Sequence, residues 1–129
     1  MNIVQGLKYS NGHEWVRVEG NQATIGVTDF AQSQLGDVVF VELPEDDIIV
    51  RAGDGFSVIE SVKAVSDIYA PVSGKIVKVN QELVNEPEIV NQDPYEAGWI
   101  VAIELTDISE LDDLMDADAY ERFVAEGGH

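Results

Sequence analysis

The chain has 129 residues, of which 45% are hydrophobic and 25% charged, a globular composition long enough to bury a core. Twenty-five Asp and Glu stand against seven Lys and Arg, a net charge of -18 that repels phosphate backbones and anionic lipid and so argues against nucleic-acid or membrane-surface binding. There is no cysteine, which excludes disulfides, zinc–cysteine sites, iron–sulfur clusters and a cysteine nucleophile, so redox chemistry would have to sit on an attached group. No apolar run approaches the ~20 residues of a membrane span. The opening Met1-Asn2-Ile3-Val4-Gln5-Gly6 lacks the basic and long apolar regions of a secretory signal. A solubilising coat, a salt-tolerant source or basic docking partners would all produce this acidity.

Strand patterns fill the first hundred residues. Glu14 to Glu19 alternates, and Gly20-Asn21 turns it into Gln22 to Val27, which reads as a hairpin. Thr28 or Asp29 caps a short helix through Leu35, and Gly36 ends it. A strand over Val38 to Leu43 stops at Pro44, and the acidic loop Glu45-Asp46-Asp47 leads into Ile48-Ile49-Val50. Gly53-Asp54-Gly55 is a turn before the strand Phe56 to Val62, since it is too short for a phosphate loop and has no basic neighbourhood. Further strands are expected around Asp67 to Ala70, over Lys75 to Val79 and over Ile100 to Leu105. Single helical turns are expected over Gln81 to Val84 and Glu86 to Val90. Two C-terminal helices follow, Ser109 to Met115 and Ala117 to Ala125. The pattern predicts one domain, 1–129, a mainly β sandwich or barrel with a β core at about 22–105 and capping helices at about 107–126.

No nucleophile, base and acid set stands out. His13 lies at a strand start and His129 at the terminus, which speaks against a histidine triad or a two-histidine metal site. Asp112, Asp113, Asp116 and Asp118 lack the glycine and distal glutamate of a calcium loop and read as a solvated helix face. No metal site is expected. The lysines are more informative, because only Lys8, Lys63, Lys75 and Lys78 occur. Lys63 falls between two strand-like runs, where a hairpin tip would present its amine in a fixed direction. Spacing alone leaves it either an acylation site or an ordinary surface lysine.

Glu60-Ser61-Val62-Lys63-Ala64, followed by Asp67-Ile68-Tyr69-Ala70-Pro71-Val72-Ser73-Gly74, resembles the lipoyl-lysine signature. More of the chain resembles one family, the glycine cleavage system H proteins. Lys8-Tyr9-Ser10 with His13-Glu14-Trp15 is similar to the family's opening, and Gly26 to Gln32 through Leu35 to Pro44 to its second block. Val79-Asn80, Pro87, Val90-Asn91, Pro94-Tyr95 and Gly98-Trp99-Ile100 are similar to the segment after the lysine. The likeness spans roughly residues 7 to 125. The acidic loop Glu45 to Asp47 and Gly12 depart from it. Biotin sites of similar fold usually flank their lysine with methionines, whereas the neighbours here are Val62 and Ala64.

The resemblance implies a lipoyl-type hybrid barrel-sandwich and lipoate bound covalently through Lys63. It implies a non-catalytic carrier of aminomethyl groups between a pyridoxal-phosphate glycine decarboxylase and a tetrahydrofolate-dependent aminomethyltransferase, with the reduced arm reoxidised by a dihydrolipoyl dehydrogenase. A lipoate ligase or lipoyltransferase would load the lysine, reading Glu60, Val62 and Ala64. Glu14 and Asp67 would hold the loaded arm, with Trp15 or Phe30 beside its carbons. A monomer is expected, cytoplasmic in a bacterium or in the mitochondrial matrix of a processed eukaryotic form. A relay of lipoate to other lipoyl domains, a stand-alone catalytic protein and an acidic adaptor with an unmodified lysine are the other readings.

Overall fold

The computed structural model of the protein describes residues 2–128, so His129 lies outside the described residues. Two antiparallel sheets face each other. β1 (Lys8–Tyr9), β2 (Glu14–Glu19), β3 (Gln22–Val27), β4 (Val38–Glu42), β5 (Ile49–Val50), β6 (Gly55–Ser61), β7 (Val65–Tyr69), β8 (Gly74–Val79) and β9 (Val101–Leu105) divide between them. The larger sheet runs β1-β2-β3-β9-β8-β5 and the smaller β4-β6-β7. β2 and β3 form the expected hairpin, with Val16 opposite Ile25 and Glu19 opposite Gln22.

The alternation of apolar residues is what closes the sandwich. Ile25 on β3, Val41 on β4, Ile59 on β6, Ile68 on β7, Ile76 on β8 and Ile103 on β9 share one buried cluster. Each such side chain contributes about 1.5–3 kcal/mol when removed from water. α1 (Asp29–Leu35) forms because Thr28 accepts a bond from the Ala31 amide, and it ends at Gly36. Two single turns, α2 (Glu82–Asn85) and α3 (Ile89–Gln92), bridge β8 and β9, each set a little later than the sequence pattern places it.

The C-terminal segment splits in two. Ile108–Asp113 is a 3-10 helix rather than the expected α-helix, while α4 (Ala117–Ala125) has the predicted bounds and is capped by Asp116. Asp, Ser and Ile are weak helix formers, and so short a segment with few of the stronger ones settles into the tighter turn. α4 seats Ala117 and Tyr120 in a second buried cluster with Leu7, Tyr9, Trp15 and Tyr95. The bridge from Tyr9 to Met115 joins that segment to β1, a two-residue strand the alternation does not reveal. Among the described residues, no helix is long and apolar enough to cross a membrane.

Candidate functional site

Lys63 stands exposed at the tip of the β6–β7 hairpin. Glu60 pairs with Val65 and Ile59 with Ser66, which leaves Ser61 to Ala64 beyond the last pair, with Val62 and Lys63 at the very tip. The Ser61 amide donates to the Ala64 carbonyl at 2.8 Å. The Ser61 hydroxyl accepts from the Ala64 amide at 3.0 Å and from the Lys63 amide at 3.3 Å. A serine hydroxyl bonding amides two and three residues on stiffens a tight turn. A further bond, from the Val62 amide to the Asp37 carbonyl at 3.0 Å, pins the tip to the chain between α1 and β4. The amine is therefore exposed but the backbone that carries it is braced on both sides.

Gly36 belongs to this site as well as to the end of α1. Its φ of 78° lies in the left-handed region, and a Cβ built there would stand 3.3 Å from Cε of Lys63. The lysine stem lies back over this bare backbone. Sequence reasoning reads Gly36 only as a helix stop and passes over Ser61 and Asp37. The two-residue offset of Ser61 from Lys63 is the signal that identifies the serine turn.

An open groove of about 440 Å³ begins beside the lysine, between the β7 edge and α1. Phe30, Leu35, Ala64, Ser66 and Asp67 are among its walls. Phe30 thus reaches the groove. Trp15 does not: it is fully buried, and its indole N–H donates to the Pro94 carbonyl at 2.9 Å. Asp67 is exposed, directly opposite Val58, and Glu60 is half-buried between Phe40 and Val65 on the neighbouring strands. Val62 and Ala64 flank the lysine in solvent.

Glu14 has a different environment. It is 3% exposed, accepts from the Ser10 hydroxyl, and accepts from the Tyr69 amide at 3.3 Å. Burial raises its carboxyl above the ordinary glutamate range, and the bonds from Ser10 and Tyr69 oppose that shift only in part. Glu14 lines a second groove of about 590 Å³, with Ser10, Tyr69 and Phe123 among its walls, whereas Asp67 lines the first; Gly12 borders both. A Cβ at Gly12 would lie 2.9 Å from a Glu14 carboxylate oxygen, so the glycine leaves the room that this side chain occupies. His13, which enters no metal cluster among the described residues, bonds through Nδ1 to the Tyr120 hydroxyl at 2.8 Å. The acidic loop is anchored too, since Asp47 pairs with Lys75 at 3.5 Å.

A family model described as the glycine cleavage H-protein matches residues 7–127. A glycine cleavage system H protein of Staphylococcus haemolyticus is 56% identical over 126 residues, covering 98% of this chain and all of the relative. One from Brevibacillus brevis is also 56% identical, with the same coverage. Among solved structures, a glycine cleavage system H protein of Mycobacterium marinum superposes with a TM-score of 0.85 at 37% identity, covering 97% of this chain and 99% of that one. The two sheets and the hairpin-borne lysine are the expected lipoyl-type hybrid barrel-sandwich. On the match of the family model along nearly its whole length, and on relatives more than half identical from end to end, the chain belongs to the glycine cleavage H-protein family.

Proposed function

We propose that this chain is the lipoyl carrier of a glycine cleavage system and that lipoate is attached through the amine of Lys63. One observation carries the reading: Lys63 is exposed at the tip of a braced hairpin that opens onto an apolar groove. The residues present suit the group, because the amine is accessible, the stem runs over the open backbone of Gly36, and the groove beside it holds Phe30 and Leu35. Bound lipoate supplies a disulfide that takes up the aminomethyl group of glycine and is returned by later enzymes to its oxidised form.

The protein's own residues do the positioning. Ser61 and the Asp37 carbonyl hold the loop, and Phe30 and Leu35 offer apolar contact along the groove. Asp67 and Glu14 are the carboxylates proposed to hold a terminal ammonium, from grooves that share Gly12. Charge-assisted bonds of this kind strengthen where water is partly excluded. Glu60, Val62 and Ala64 are proposed as features read by the lipoate ligase or lipoyltransferase. The remaining partners are the pyridoxal-phosphate glycine decarboxylase, the tetrahydrofolate-dependent aminomethyltransferase and the dihydrolipoyl dehydrogenase. In this reading the whole chain is one carrier domain, a cytoplasmic monomer that performs no catalysis itself.

Intact mass of protein from lipoate-supplied cells tests the assignment. The parent should gain one lipoyl mass confined to the Lys63 peptide. Lys63→Arg should gain none and support no glycine cleavage, with an unchanged melting temperature. Turnover by the arginine variant would overturn the reading. An unmodified parent in the presence of an active ligase would favour an adaptor.

A further inference from the structure

Ten large hydrophobic side chains are exposed among the described residues, and four of them lie at the hairpin tip and the strand ends beside it: Val39, Phe40, Val62 and Val65. The strand register organises this cluster. Phe40, Glu60 and Val65 stand in one row across β4, β6 and β7, and Glu42, Val58 and Asp67 in the next. A bulge between Val38 and Phe40 leaves both Val39 and Phe40 exposed. Val65 remains 69% exposed and Phe40 44%. Phe40 and Val65 flank the half-buried Glu60, and exposed apolar side chains grouped around a polar one mark an interaction site, whereas single exposed side chains need no explanation.

The charges beside it are all of one sign. β4, β6 and β7 carry Glu42, Glu60 and Asp67 but no Lys or Arg. Lys8, Arg17, Lys75 and Lys78 all lie on strands of the larger sheet. The face that bears the lysine is therefore apolar and anionic.

On the reading that Lys63 is acylated, we infer that the outer face of β4-β6-β7 is the docking surface for the enzyme that acylates it, which meets this face with an apolar centre rimmed by Arg or Lys. Reach selects that partner. Before acylation the only extension is the lysine side chain, so its Nζ must enter the enzyme's active site and the enzyme must cover the tip. Partners that act on a longer arm work from farther away. The surface is also continuous with the reacting amine, since Val62 adjoins the lysine and Val65 follows it by two residues, in the row that ends at Phe40. In the covalent step, deprotonated Nζ attacks the carbonyl carbon of a nucleotide-activated lipoate. The amide C–N bond forms, the C–O bond to the nucleotide phosphate breaks, the nucleotide monophosphate leaves and the surplus nitrogen proton passes to solvent.

Lipoylation kinetics of the full-length unmodified protein, with a lipoate ligase, lipoate and ATP, test this inference. Phe40→Ala and Val65→Ala should each raise the KM for the carrier about tenfold, the loss typical of a well-buried contact residue, with kcat nearly unchanged. Glu42→Lys should raise it too, through like-charge repulsion. Ile49→Ala, an exposed change on β5 in the other sheet, should leave it alone. Melting temperatures should match the parent throughout. Parent-like KM in both alanine variants would overturn the inference, as would a defect confined to exchange with the later enzymes. A parent that is never acylated at Lys63 would instead sink the carrier reading itself, so the two failures are distinct.

Discussion

Glu14 is a carboxylate whose partners, Ser10 and Tyr69, come from separate stretches of the chain. The sequence leaves open whether it approaches Asp67; the two line different grooves that share Gly12, and Glu14 ties Ser10 to the Tyr69 amide. Its carboxyl is raised by burial from the ordinary value of 4.5, so the native state keeps its proton to higher pH than the unfolded chain does. That contribution to stability is fully present below the unfolded value and is lost as pH rises through the raised one. Glu14→Gln removes the titration while keeping an acceptor for Tyr69. Chemical denaturation of both proteins should show the parent losing stability relative to the variant as pH rises from about 4, then a constant difference at higher pH. Parallel curves throughout would refute the assignment. Gly36 is a second such residue: with φ 78° and ψ -159° it occupies a region reserved for glycine, and that same bareness accommodates the Lys63 stem.

Among the elements, α4 does more than cap the β core. Tyr120 stacks on Tyr9 with ring centroids 4.5 Å apart, and its hydroxyl meets Thr28 Oγ1 at 2.7 Å and His13 Nδ1 at 2.8 Å. Burial pushes that hydroxyl up to about 12, against the opposing bond from Thr28, so it stays protonated at working pH. Thr28 is also the cap of α1, which forms one wall of the groove beside Lys63. The C-terminal helix is thereby bonded to the cap of the helix that lines the site. Tyr120→Phe retains the stacking and loses both hydroxyl bonds, and it should cost about 1–2 kcal/mol, read as a lower melting temperature with lipoylation of Lys63 intact. A variant that melts with the parent would show that the hydroxyl bonds contribute nothing net.

Across the whole molecule, the charge of -18 is unevenly spread. Lys8, Arg17, Lys75 and Lys78 ride on the larger sheet, with Arg17 partly engaged by Glu96 at 3.3 Å, while the strands that carry the lysine hairpin hold only acids. Acylation removes one more positive charge from that end. Partners with cationic surfaces are then steered toward the hairpin, an effect that acts mainly on encounter rate and fades as the Debye length falls from about 8 Å at 0.15 M salt to about 3 Å at 1 M. The KM of the lipoylated protein in each partner reaction should climb steadily across that range. A flat profile would mean that the acids serve solubility alone.

Local patterns were enough for most of the framework. Alternation of apolar residues marked the β2–β3 hairpin, the run over β4 and the strands on either side of Lys63, because a strand with one buried face must repeat every two residues. The cap chemistry of Thr28 likewise placed α1, since unpaired helical amides are satisfied within three residues of sequence, and the helical composition of Ala117 to Ala125 placed α4. The motif around Lys63 singled out the lysine, and its exposure at a two-residue tip follows from the runs that flank it. What depends on distant parts of the chain had no local signal. β1 exists only because Tyr9 pairs with Trp15 and Met115. The Gly36 backbone beneath Lys63, the second groove around Glu14 and the Phe40–Glu60–Val65 row arise where residues far apart in sequence meet, and register and packing between elements decide such meetings.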